Sequence, residues 1–302
     1  MITCRSTTTS HWPDMSASSR HSKPYAILRV IGEDLDPIDV SEAFRLPSDH
    51  THRKGEPRLR RHALRGVQHH APYAEGMWSM SSRDWVEAPD VDTHIVWILD
   101  QIEPRAEEIS RLLARGIRVD ITCCLIDKPE APPTVPARTL SRVAQLGLEL
   151  DVDRYSMSEG PIPRRVRTHL EDETGFANVD LDLVADFALK PLVAALPGLC
   201  LLHATDEAPF EAHLEVDGCT RTPVDTLIAL LEAVESLPAD FRKLWDACRS
   251  RRFDIGITSG LEPHAWLATI PPDVLSRIAA ARAEIGLTIY GTRVRELLKD
   301  EK

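Results

Sequence analysis

The residues best suited to chemistry in this chain lie between His50 and His70, where the sequence reads HTHRKGEPRLRRHALRGVQHH. Arg53, Lys54, Arg58, Arg60, Arg61 and Arg65 stand there against a single acid, Glu56. Guanidinium and ammonium groups at that density suit an anion, whether a phosphate or the acidic face of a protein partner. His69 and His70 would supply an acid or base if a bound substrate were also turned over. The competing reading is a solvated loop, because long polar connections run over the surface. Aromatic residues for base stacking are not interleaved with these cations, which disfavours nucleic acid.

The same segment holds possible metal ligands. His50 and His52, two apart, would share one face of a strand, and with His69, His70 and Asp49 they offer donors that suit zinc or nickel. No element fixes the distance between the two histidine pairs, and a first shell needs rigid support, so no metal is assigned. A second group is acidic: Asp120, Asp151 and Asp153 fall on the outward face of strands whose other face is apolar. Neighbouring carboxylates of this kind bind a hard cation or raise one another's pKa, while a solvated sheet face is the plainer alternative. No G-x-S-x-G frame surrounds Ser259, and neither a Walker loop nor G-x-G-x-x-G occurs, so no catalytic residue and no cofactor is expected. The tryptophans at 78, 85, 97, 245 and 266 read as core or core-edge residues.

The elements that must position these groups follow from an internal repeat. Residues 119–155 and 253–290 align with one gap, so that Asp120 meets Asp254, Pro136 meets Pro271, Leu140-Ser141-Arg142 meets Leu275-Ser276-Arg277, and Tyr155 meets Tyr290. Each copy reads strand, proline-started helix, strand, with Gly147 ending the first of these helices. Upstream, Ile95, Ile98, Leu99 and Ile102 form a helical stripe, as do Leu227, Leu230, Leu231 and Val234. The reading is α+β: two tandem related domains, each a small mixed or antiparallel sheet with helices packed on it. The expected boundaries are a disordered tail over 1–24 (with a possible true start at Met15), a first domain over 25–156, a linker over 157–175, a second and diverged domain over 176–291, and a short helix over 292–302.

With 302 residues, 43% hydrophobic and 27% charged, the chain can bury cores for two domains. The formal charge of −11 argues against a protein that coats nucleic acid. That average is polarised: residues 1–70 carry 11 basic and 8 acidic groups, whereas 176–302 carry 13 and 20. Six cysteines without a C-x-x-C pair, a tail lacking an apolar signal core, and the absence of any membrane-length apolar run lead to the expectation of a reducing cytoplasm.

The opening Ala26-Ile-Leu-Arg-Val-Ile-Gly-Glu-Asp-Leu-Asp-Pro37, the Arg53-Lys-Gly-Glu56 segment, the tryptophan in Met77-Trp-Ser-Met80 and the strand-helix-strand ending at Tyr155 resemble the bacterial domain-of-unknown-function family 4279. The resemblance covers about residues 25–155; the second half resembles it from Phe253 to Tyr290 and lacks counterparts of the Lys-Gly-Glu segment and Trp78. It implies a bacterial cytosolic α+β domain and no activity. The function expected from all this is a non-catalytic binding module that recognises a macromolecular partner through the basic segment, for example an immunity-type protein. The alternative is a small hydrolase or transferase acting on a phosphorylated or acidic substrate held by the same arginines. A third reading has the basic segment dock the first domain onto the acidic second one.

Overall fold

The computed structural model describes residues 24–62, 66–126, 132–155, 174–218, 222–258 and 265–290. The tail over 1–23, nearly all of the expected linker and the expected C-terminal helix lie outside these residues. The first half runs β1 (Tyr25–Gly32), α1 (Pro37–Phe44), β2 (His50–His52), β3 (Arg58–His62), β4 (Gly66–His70), β5 (Gly76–Ser81), α2 (Val91–Ile102), α3 (Ala106–Ala114), β6 (Arg118–Ile126), β7 (Thr134–Val135), α4 (Ala137–Gln145) and β8 (Glu149–Tyr155). The second runs β9 (Gly175–Ala185), α5 (Lys190–Ala194), β10 (Leu199–Ala204), β11 (Phe210–Val216), α6 (Pro223–Glu235), α7 (Ala239–Ala247), β12 (Ser250–Thr258), β13 (Ala265–Ile270), α8 (Pro272–Ala280) and β14 (Glu284–Tyr290). The chain is α+β, as its patterning predicts.

Local chemistry accounts for most of these elements. Asp36 caps α1 through the Ile38 amide, Asp90 caps α2 through Thr93, and Thr222 caps α6 through Asp225. Pro37, Pro223 and Pro272 occupy first-turn positions, where a missing N–H costs no hydrogen bond. Beyond α4 the chain turns at Gly147 with φ 70°, and beyond α8 at Arg282 with φ 56°, so the second turn places a side chain in the left-handed region. Cys123 and Cys124 point to opposite faces of β6, both buried and both free thiols.

Two six-stranded sheets result, in the orders β13-β8-β6-β1-β5-β2 and β7-β14-β12-β9-β11-β10. Position by position the two orders correspond, with one exchange. Strand β13 of the second half pairs with β8, Ile270 opposite Leu150, while β7 of the first half pairs with β14, Val135 opposite Ile285. Helices α4 and α8 pack on each other across the junction. Reciprocal exchange of edge strands ties the expected domains together, and their apolar residues form one continuous core from Leu28 and Trp78 to Trp245 and Phe253. Trp85 departs from expectation, being 60% exposed and stacked on Trp97.

The front of each half shows a further difference. In the second half β10 returns directly as β11, at the positions that β2 and β5 hold in the first. Between β2 and β5 the first half inserts β3 and β4, a hairpin whose strands pair with each other and, among the described residues, join the ladder of neither large sheet.

Candidate functional site

The basic segment therefore contains ordered strands, which polar composition alone had left open as a loop. Its root is built by Gly55, whose N–H donates to the Tyr73 carbonyl at 2.8 Å, and by Tyr73, whose N–H donates to the Glu56 carbonyl at 3.2 Å. Beyond this root the register sets Arg58 opposite His70, Leu59 opposite His69, Arg60 opposite Gln68 and Arg61 opposite Val67. Arg58 lies over the Tyr73 ring at 5.8 Å, and Leu59 is 51% exposed. His69 and His70 are exposed. Arg65 lies outside the described residues.

The other two cations already have partners. Arg53 Nη2 donates to both carboxylate oxygens of Asp36 at 2.8 Å, and Lys54 Nζ donates to Glu33 at 3.0 Å. Both pairs are exposed, so they hold the root of the arm to the β1–α1 corner weakly. Arg53 and Lys54 thus brace the arm, and Arg58 stands beyond them on β3.

His50 and His52 stand side by side on β2, as strand alternation predicts, with His50 Nε2 and His52 Nδ1 3.1 Å apart. The His52 ring stacks on Tyr73 at a centroid distance of 3.5 Å. Burial, the nearby His50 charge and Arg58 push the His52 pKa down to about 4 against the pull of Glu56; burial also lowers His50. Among the described residues no three His, Cys, Asp or Glu side chains converge as a metal centre.

Sequence reasoning missed Arg29. Register places it on β1 between Ser79 of β5 and Asp120 of β6, with Asp151 one strand further on β8. Its Nε donates to Asp120 at 2.7 Å and its Nη2 donates to Asp151. Asp120 and Asp151 are 0% exposed, so the expectation of a solvated face is corrected here. Asp120 Oδ2 and Asp151 Oδ1 still lack hydrogen-bond donors. Desolvation lowers the Arg29 pKa, but the two carboxylates more than compensate; for Asp120 burial wins over Arg29 and raises it. The signal in the sequence was one arginine within the otherwise apolar run Tyr25–Gly32.

The second sheet carries the same pair with its charges exchanged. Asp182 of β9 lies opposite both His213 of β11 and Arg252 of β12. Arg252 Nη2 donates to Asp182 Oδ2 at 2.7 Å, and His213 Nδ1 is 2.6 Å from Asp182 Oδ1. Glu149 faces Asp120 in the first sheet and Glu284 faces Arg252 in the second, so the sheet register matches Asp120 with Arg252. The sequence alignment had matched Asp120 with Asp254. A slip of two residues in a strand keeps every side chain on its face and is invisible to alternation.

That slip leaves Asp254 beside Asp180, with Glu215 nearby, where the first sheet has Thr122, Ile27 and Ser81. Asn178 Nδ2 donates to Asp180 at 2.8 Å and to Glu215 at 2.6 Å. Thr288 donates to Asp254 Oδ2 at 2.6 Å, while Asp254 Oδ1 lies unpaired over Gly286, where a Cβ would come within 2.5 Å of it. Burial, Glu215, Asp182 and Asp254 raise the Asp180 pKa from 3.8 to about 7. The folded chain therefore keeps a proton that the unfolded chain loses above pH 3.8, and the associated stability fades as pH rises through about 7. Asp180→Asn is expected to stabilise the protein at pH 8 by about 1–2 kcal/mol, a figure kept small because the site is half-exposed, with little gain at pH 4. Urea melts at the two pH values measure this; an equal effect at both contradicts it.

A hollow of about 180 Å³ between α1 and α3 is lined by Leu35, Asp39, Glu108, Arg111 and neighbours, and includes none of these histidines or buried carboxylates. Among the described residues no helix is long and apolar enough to cross a membrane. Residues 22–157 match the model of a protein family described as "Domain of unknown function (DUF4279)", which bears out the resemblance of the first half. The match ends before β9. No curated protein matches the chain.

Proposed function

We propose that this chain is a non-catalytic binding module that recognises an acidic protein partner through the β3–β4 arm. The observation that carries the reading is the arm itself, present between β2 and β5 and replaced by a direct turn between β10 and β11. The inserted hairpin pairs with neither sheet, and its exposed side chains include Arg58, Leu59, His69 and His70. Arginine is among the residues that interfaces favour, and the cationic segment would steer an acidic partner toward the arm. An immunity-type protein that covers the acidic active-site rim of a toxin is one concrete form. We read the second half as a diverged copy of the first, on the matching strand orders, and place the protein in a reducing cytoplasm, on its buried free thiols.

The test is charge reversal. Proteins that co-purify with the tagged chain from its source organism at about 150 mM salt would be identified and their affinities measured. Arg58→Glu, Arg60→Glu and Arg61→Glu together are expected to weaken the principal partner at least about tenfold, chiefly in association rate, with stability changed by under about 1 kcal/mol. Unchanged affinity in a folded triple variant would sink the proposal.

A further inference from the structure

The His50–His52 pair lies at the root of the arm, on the edge strand β2 of the first sheet. Its rings are held by covalent spacing along one strand and by the stack of His52 on Tyr73, with centroids 5.2 Å apart between the histidines and 3.5 Å between His52 and Tyr73. Two imidazole nitrogens bound to one cation at about 2.0–2.1 Å, with angles between a right angle and the tetrahedral value, stand about 2.8–3.4 Å apart. His50 Nε2 and His52 Nδ1 are already at 3.1 Å. One proton occupies that N···N contact; moving it to the other nitrogen of the same ring frees both lone pairs without net release of a proton, and a modest turn of the two rings aims them at a shared cation.

We infer that His50 and His52 form a bidentate clamp for a borderline divalent cation such as nickel or zinc. Imidazole nitrogens select these ions over magnesium or calcium, which prefer oxygen. Among the described residues no third ligand converges, and the site we infer is two nitrogens with water in the remaining positions. The clamp is therefore weaker than a closed four-ligand zinc site and exchanges its metal with solvent. It does not depend on the partner proposed for the arm.

Calorimetric titration of the full chain with nickel chloride, zinc chloride and magnesium chloride tests it. Nickel and zinc should bind saturably and magnesium should not. His50→Ala and His52→Ala should each weaken nickel binding at least about tenfold. His52→Phe keeps an aromatic ring on Tyr73 without a ligating nitrogen, so the same loss in this variant, with an unchanged melt, assigns the effect to coordination. The double variant His69→Ala with His70→Ala should bind as the parent does. Absence of saturable binding by the parent, undiminished binding in the three His50 and His52 variants, or a loss confined to the His69 and His70 variant would overturn the clamp.

Discussion

Arg29→Met is expected to cost about 3–5 kcal/mol of folding stability, the usual consequence of removing one partner from a buried ion pair. The guanidinium is mostly buried, and it bridges Asp120 and Asp151, whose side chains are wholly withdrawn from water. Arg118 Nε stands 3.4 Å from Asp120 Oδ2 but is half-exposed and makes no hydrogen bond to it. Methionine preserves much of the aliphatic volume and removes the charge, leaving two carboxylates that must be protonated or hydrated. Adding Asp120→Asn and Asp151→Asn should recover more than half of the loss, because neutral amides need no counter-charge. Urea unfolding of the single and triple variants decides it; a loss under about 1 kcal/mol for Arg29→Met, or no recovery in the triple variant, would show that the bridge does not hold the sheet. The matching substitution Arg252→Met should cost less, since Arg252 is more exposed and His213 remains on Asp182.

Ile270→Ala is expected to destabilise the whole chain by about 2–5 kcal/mol, the range for truncating a fully buried isoleucine. Its wider consequence comes from topology. Ile270 belongs to the second half by sequence but lies in the first sheet, opposite Leu150 of β8. Helix α4 meets α8 across the same junction, and β7 is seated reciprocally beside β14. A cavity at Ile270 should therefore lower the melting of both sheets together. Scanning calorimetry should show one transition in the parent and one lower transition in the variant, with the calorimetric and van't Hoff enthalpies in agreement. Two resolved transitions, only one of them shifted, would mean that the halves unfold as independent domains.

Sequence by itself determined what depends on near neighbours along the chain. Period-two alternation marked β6, β8, β12 and β14, the three-and-four spacing of Ile95 to Ile102 marked α2, and prolines marked the starts of α4 and α8. The cationic character of residues 50–70 was equally plain, because charge is a property of composition. The strands of the arm were not: a hairpin rich in arginine and histidine has no apolar face for alternation to reveal. β10 and β11 also escaped, the first being exposed along most of its length.

Tertiary structure alone decided which strands are neighbours and in what register. Asp120 and Asp151 are thirty-one positions apart in sequence and share Arg29 only because β6 lies between β1 and β8. The match of Asp120 with Arg252, rather than with Asp254, rests on a two-residue slip that leaves every side chain facing the same way. The exchange of β7 and β13 likewise leaves no local trace, since each strand is short and pairs with a partner remote in sequence. Hydrogen bonding between distant strands is non-local, and nothing in a strand's own residues specifies which edge it will cover.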